Sequence, residues 1–311
     1  MNTHTRIKLL TASALLLLSL LAAQAQAADG SFEERLTLGE AVVLEVDTGS
    51  GSIEVRSGPG DEASIRGDIR VDRGFLWSKR GDAEELVQQV KDNPPIKLTD
   101  GRLRVGSFDD RSIGRKVSIS YEIVVPEGTE VIADAGSGSI TITDIAAPVS
   151  AEAGSGSVTL ENIGGSVKAD TGSGSIHADG VAGDFHGSSG SGRIYLLQTA
   201  PGDVVVSTGS GSSELTGVAG SVRARAGSGG ITIDGRLDGD WRIDTGSGTV
   251  RVALPEDAAF DLQAESSSGG IDIDHPLTVE GRVSNKELRG KVRGGGPLLK
   301  IDTGSGGIRI R

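Results

Sequence analysis

The chain has 311 residues, a formal net charge of −12 and no cysteine. The absence of cysteine excludes disulfides as a source of stability and thiols as a source of chemistry. The acidic balance argues against nucleic acid or anionic lipid as a general partner.

Residues 1–27 stand apart. Arg6 and Lys8 precede an apolar run from Leu9 to Ala23, and Ala25-Gln26-Ala27 forms a small-x-small cleavage pattern. This order is that of a secretory leader, and the run is short for a spanning helix. With no cysteine behind it and no later apolar run, the sequence predicts a signal peptide, a mature protein beginning near Ala28, and no transmembrane segment after cleavage. Losing two basic residues and no acidic one takes the charge from −12 to −14. The expected location is the periplasm or the cell surface.

Residues 28–135 form the next unit, of coiled rungs with a helical excursion. Val42, Leu44 and Val46 alternate, Gly49-Ser50-Gly51-Ser52 follows, and Ile53 and Val55 alternate again. The pattern then breaks. Phe75 and Trp77 fall in the break, and a helix is predicted over Asp82–Lys91. Its signals are Asp82 with Glu85 as a capping pair, an apolar stripe of Ala83, Leu86, Val87 and Val90, and the stop Asn93-Pro94-Pro95. A stacked repeat has open ends that need covering, so this excursion reads as a cap rather than a ligand pocket.

Residues 136–311 are repetitive. The first glycine of a Gly-Ser-Gly phrase recurs at Gly136, Gly154, Gly172, Gly190, Gly209, Gly227 and Gly246, a period of 18 or 19 residues. Registered copies place Ile140, Val158, Ile176, Ile194, Ile231 and Val250 in one apolar column, and Val149, Val167, Phe185, Val204, Val222, Trp241 and Phe260 in another. A second apolar column lies two residues beyond each, which is the strand period. Each copy therefore holds two short strands, buried on one face and wet on the other. At the corner, glycine is expected to supply backbone angles other residues resist. Stacked about 4.8 Å apart, about ten rungs make a rod on the order of 45–50 Å long. A flexible Gly-Ser linker would not hold registered apolar columns. A membrane barrel needs longer strands with an apolar outer face. The fold predicted is all-β: a single-chain β-helix or β-solenoid with 18–19-residue rungs.

Two further features belong to the ends. Val125-Pro126-Glu127-Gly128-Thr129-Glu130-Val131 echoes Leu254-Pro255-Glu256-Asp257-Ala258-Ala259-Phe260. The gap between Ser267 and Gly304 spans 37 residues, or two rungs, so a degenerate rung is expected over Val283–Val292. Arg309 and Arg311 then fall on the final strand and would guard an open edge.

The Pro-Glu-Gly-Thr phrase, the repeated Gly-Ser-Gly-Ser-Ile corners and the ending Gly294-Gly295-Gly296-Pro297 to Ile310 resemble the bacterial exported β-solenoid family of adhesin-like proteins of unknown function. The resemblance covers nearly all of 40–311. It implies a β-helix, a right-handed one, on an exported protein, and it implies no catalytic residue and no cofactor.

The chemistry sought is sparse. Beyond the leader the histidines are His177, His186 and His275, and no His-Glu-x-x-His, Gly-x-Ser-x-Gly elbow or phosphate loop occurs. Asp272, Asp274 and His275 make the best metal-like group, and solvated surface charge is the better account of them. Outward acids such as Glu161, Asp179 and Asp234 are scattered, where a polysaccharide-acting enzyme on this fold needs them clustered. The sequence thus favours a non-catalytic binding module for an envelope glycan or surface protein. An envelope-stress or structural accessory is the alternative, and an enzyme comes third. Two outward patches are the candidate binding residues: His177, Tyr195 and Leu197, and the like-charged Arg223, Arg225 and Arg242, which suit an anionic partner unless Asp240 and Asp244 neutralise them.

Overall fold

A computed structural model of the chain describes residues 29–38, 43–71, 80–108, 111–279 and 284–311. The leader with its cleavage site, Val42, the Phe75–Trp77 segment and Val283 lie outside the described residues.

The elements begin with β1 (Gly30–Thr37), β2 (Val43–Thr48), β3 (Ile53–Gly58) and β4 (Glu62–Val71). Helix α1 (Arg80–Asp92), strands β5 (Ile96–Thr99) and β6 (Arg102–Val105), the single turn α2 (Arg111–Gly114) and β7 (Val117–Pro126) follow. Seven strand pairs come next: β8 (Glu130–Ala135) with β9 (Ile140–Thr143), β10 (Val149–Ala153) with β11 (Val158–Ile163), β12 (Val167–Thr171) with β13 (Ile176–Val181), β14 (Phe185–Ser189) with β15 (Ile194–Gln198), β16 (Val204–Thr208) with β17 (Ser213–Ala219), β18 (Val222–Ala226) with β19 (Ile231–Arg236), and β20 (Trp241–Thr245) with β21 (Val250–Ala253). The chain closes with β22 (Phe260–Ser266), β23 (Ile271–Ile273), β24 (Leu277–Val279), β25 (Glu287–Val292), β26 (Leu298–Thr303) and β27 (Ile308–Ile310).

The two strands of each pair belong to opposite sheets. Sheet A runs β1-β4-β7-β3-β9-β11-β13-β15-β17-β19-β21-β27-β23, and sheet B runs β24-β25-β22-β26-β20-β18-β16-β14-β12-β10-β8-β2-β6-β5. Pairing along the spine is parallel and in register, with Val158 between Ile140 and Ile176 and Val167 between Val149 and Phe185. The inward columns are those of the apolar repeat as far as Trp241. Beyond it Leu299 and then Leu262 take the next places, and Phe260, expected there, lies two residues earlier against Val292, because the inserted β26 sets the register of β22. Phe185, Trp241 and Phe260 are among the largest fully buried side chains. Each such side chain contributes about 1.5–3 kcal/mol of transfer free energy, so a small domain cross-section is held by repetition of modest terms. Ser213 takes the place of an aliphatic residue in its column and is buried there.

The corners hold by close approach. Among the described residues none of the corner glycines has a left-handed φ, so the angle expected of them is not what selects glycine. A Cβ on Gly174 would overlap the carbonyl oxygen of Gly156 one rung below, and one on Gly192 would overlap that of Gly174. The second glycine of each phrase is selected because backbone stacks on backbone there. The residue before the phrase locks the corner. Thr171 Oγ1 donates to the Gly156 carbonyl at 2.9 Å and accepts from the Gly174 N–H at 3.0 Å. Ser189, Thr245, Thr303 and Ser266 repeat the bridge. Left-handed residues sit at the other corner instead, in the column Asp144, Asn162, Gly180 and Gly217, which are types that tolerate it.

Strand order departs from chain order at both ends. β2 lies between β6 and β8, and β3 between β7 and β9. At the far end β26 lies between β20 and β22, and β27 between β21 and β23. Each end therefore contains a rung drawn from far away in the sequence. The two Pro-Glu phrases are the links that step over those rungs, from β7 to β8 and from β21 to β22. From the last inward residue of one strand to the register-matched inward residue of the next, Ile123 to Val131 is eight residues and Val252 to Leu262 is ten, against the seven of Ile142 to Val149, so the links cross one extra rung with one to three extra residues. The degenerate rung expected over Val283–Val292 is replaced by β25, which pairs antiparallel with β22 and β24. Arg309 and Arg311 leave the edge for the same reason, since β27 is internal and β23 is the edge.

α1 packs its buried Ala83, Val87 and Val90 against β1 and β4 at one end of sheet A. β4 pairs antiparallel with both β1 and β7, which ends the parallel stack on that side.

Candidate functional site

The wet face of sheet A carries two columns. From β9 to β19 the first reads Thr141, Thr159, His177, Tyr195, Glu214, Thr232, and the second Thr143, Glu161, Asp179, Leu197, Thr216, Asp234. His177, Tyr195 and Leu197 interrupt an otherwise Thr, Glu and Asp surface. The structure brings all three together. His177 and Tyr195 are register partners whose rings stack at 4.6 Å with 12° between planes. Leu197 stands two residues from Tyr195 on the same face, between Asp179 and Thr216. The ring separation equals the rung spacing, so each ring spends its inner face on the other. A partner meets the pair edge-on, with Leu197 as the apolar contact and Glu161, Asp179 and Glu214 around it.

The wet face of sheet B is striped by charge. Its first column reads Lys168, His186, Val205, Arg223, Arg242, Lys300, Gln263, Arg289 from β12 to β25. Its second reads Asp170, Ser188, Ser207, Arg225, Asp244, Asp302, Glu265, Glu287. The predicted Arg223, Arg225 and Arg242 are neighbours, as their register required. Arg225 Nε lies 3.7 Å from Asp244 and Arg242 lies 3.5 Å from Asp240. No ion pair is formed by Arg223 among the described residues. Lys300 and Arg289 were missed by the sequence reading because their rungs were placed elsewhere. The signal was present: Trp241-Arg242-Ile243-Asp244-Thr245-Gly246-Ser247-Gly248 and Leu299-Lys300-Ile301-Asp302-Thr303-Gly304-Ser305-Gly306 are near copies, and they are neighbours in space. A groove of about 610 Å3 runs beside the second column, over corner residues Gly209, Gly227, Gly246 and Gly304, with Arg225, Asp244, Asp302 and Glu265 on its wall.

Toward the other end the second column continues as Asp47, Asp134 and Glu152. Burial raises the carboxyl of Asp47 above its ordinary value. Burial and then the charge of Asp47 raise that of Asp134. Burial, with Asp47 adding to it, also holds the inward Tyr121 phenol protonated.

The group Asp272, Asp274 and His275 is not one cluster. Asp272 faces Arg309 of the inserted β27 at 3.4 Å, and Asp274 faces Arg311, just past its end, at 3.7 Å. His275 is buried with its ring edge-on to Phe260 at 5.7 Å. Strand parity carries the explanation, since 275 shares the inward phase of Ile271 and Ile273. Among the described residues no three His, Asp or Glu side chains converge in a way that could hold a metal ion, and no helix is long and apolar enough to cross a membrane.

The family model Toastrack DUF4097 matches residues 82–311. No curated protein matches the chain. Two solved structures resemble the chain. A candidate cell adhesion protein from Clostridium sporogenes is 11% identical, with 90% of this chain and 99% of that chain covered and a TM-score of 0.18. A candidate adhesin from Bacteroides fragilis is 12% identical, with 92% and 99% covered and a TM-score of 0.33.

Proposed function

The chain belongs to the Toastrack DUF4097 family, and from that premise we propose that it is an exported, non-catalytic adhesin-like module of the cell envelope that binds a surface protein through the wet face of sheet A. The observation that carries this reading is the trio His177, Tyr195 and Leu197, half-exposed or exposed, on a surface otherwise built from Thr, Glu and Asp. An aromatic edge and an aliphatic side chain supply apolar contact area, and Tyr195 adds a hydroxyl to donate. The carboxylates around them favour a partner with an apolar anchor ringed by Lys or Arg. Sugar stacking needs an open ring face, and the His177–Tyr195 stack leaves a poor one, so a protein partner fits better than a glycan. Export rests on the leader pattern over residues 1–27.

A second reading keeps an anionic envelope glycan at Arg223, Arg225 and Arg242. The unpaired guanidinium of Arg223 is what favours it.

The test is binding of the purified protein to isolated bacterial envelope fractions. Tyr195→Ser with Leu197→Ser should weaken binding by about tenfold or more, as loss of a small anchoring cluster does, while Thr159→Ser leaves it unchanged. Binding unaffected by the double variant would overturn the sheet A site, and loss in Arg223→Ala alone would select the second reading.

A further inference from the structure

The stripes on sheet B have a geometric property that the proposed sheet A contact does not use. On four strands the first column is basic and the second acidic: Lys168 with Asp170, Arg242 with Asp244, Lys300 with Asp302, and Arg289 with Glu287. The sign never reverses between β12 and β25. The columns run parallel to the rod, on a flat face of five-residue strands. A two-fold axis parallel to the rod and midway between the columns lays one face on a second copy of itself. It keeps every strand opposite the same strand and sets the first column of one copy against the second column of the other. Each basic side chain then meets an acidic one at the same level. A two-fold axis across the rod would instead set basic column on basic column.

We infer that sheet B is a self-association surface, and that two copies pair side by side with rods parallel through the Lys168–Arg289 and Asp170–Glu287 stripes. Ion pairs within the chain, such as Lys300 with Asp302 at 3.3 Å and Arg289 with Glu287 at 3.0 Å, already hold these side chains in place. Association turns pairs along a strand into networks across two chains, which are worth more than isolated exposed pairs. Strands about 17 Å wide at the 4.8 Å spacing give the face from β8 to β25 on the order of 700 Å2, near the roughly 800 Å2 per partner of a stable interface. The rung of β18 is the exception, because it sets Arg223 against Arg225. Asp244, one strand away from Arg225, offsets that repulsion. The dimer leaves both sheet A faces outward, so it presents two copies of the proposed contact surface.

The experiment uses the mature-length protein, analytical ultracentrifugation at low and high salt, and two charge variants. Arg242→Asp with Lys300→Asp makes both columns acidic at β20 and β26, in the middle of the stripes, and Asp244→Lys with Asp302→Lys makes both basic there. All four positions are surface positions. The parent should dimerise at low salt, and added salt should weaken the dimer. Each variant alone should self-associate at least about tenfold more weakly. Mixed in equal amounts, the two should form a heterodimer, which a role confined to ion pairs inside one chain does not predict. A parent that stays monomeric at low salt, or a mixture that associates no better than its components, would overturn the inference.

Discussion

The seven rungs from β8 to β21 follow each other along the chain, and each lies on the one before. The two ends are built differently. At each, a strand pair distant in sequence is inserted one place inside the end: β2–β3 between β6–β7 and β8–β9, and β26–β27 between β20–β21 and β22–β23. The same Gly-Ser-Gly corner serves both regions, so the chemistry of a rung is common to them and only the order differs. The difference teaches that a repeat specifies what a rung looks like while leaving open which rung is its neighbour. Order is fixed by whichever strand pair reaches an open edge. A consequence follows for the C-terminal end. Among the described residues β22 pairs with β25 and β26 alone, so the terminal assembly is joined to the spine through the last fourteen residues and the 254–259 link.

The largest effect should therefore come from the inserted rung. Ile301 is fully buried between Ile243 and Ala264. Ile301→Asp should cost several kcal/mol by placing an unpaired charge there. Amide exchange should show β22 and β25 losing protection while β10 to β17 keep theirs. Val167→Asp in the spine should cost as much but unfold the stack without that polarity, and Thr159→Asp, one position outward from its column, should stay within about 0.5 kcal/mol of the parent. Equal losses of protection at both ends in Ile301→Asp would break the comparison.

Next in size is the pair of glycines in one corner. A Cβ on Gly51 would overlap the Ile119 carbonyl, whereas Gly49 has nothing within 4 Å. Gly51→Ala should destabilise by about 2 kcal/mol or more, and Gly49→Ala should be neutral within about 0.5 kcal/mol, in urea unfolding. Thr171→Ala removes the hydroxyl that bridges two corners and should cost about 1 kcal/mol, although Ala135, Ala153 and Ala226 show that a rung survives without it.

The smallest effect concerns charge. Burial and Asp47 raise the Asp134 carboxyl in the folded chain, so its ionised form opposes folding at neutral pH. That penalty is full above the raised value and fades as pH falls through it. Asp134→Asn should be slightly more stable than the parent at pH 7 and indistinguishable from it near pH 3, in thermal melts across pH.

Much of the spine was legible in the sequence. Period-two alternation of Ile and Val fixed which residues turn inward, and the 18–19-residue repeat fixed their partners, down to the neighbouring Arg223 and Arg242. The stack of His177 on Tyr195 followed from the same register. What was not legible has physical causes. Self-similar rungs are equally good partners for one another, so the 37 residues from Ser267 to Gly304 were counted as two consecutive rungs. The corner glycines were credited with an unusual φ because sequence gives no view of the carbonyl stacked beneath them. The position of His275 was available from parity and was obscured by the two carboxylates beside it.

Rung order at the C-terminal end is the central claim, and the lack of native cysteine makes it directly measurable. Asp244 and Asp302 are register partners on adjacent strands, while Glu265 lies one strand further on. Cysteines at 244 and 302 should form a disulfide on mild oxidation of the folded protein, since adjacent strands lie within disulfide reach. Cysteines at 244 and 265 should stay reduced, because two strand spacings, about 9.6 Å, exceed that reach. Efficient closure of 244 to 265 with none of 244 to 302 would contradict the inserted rung.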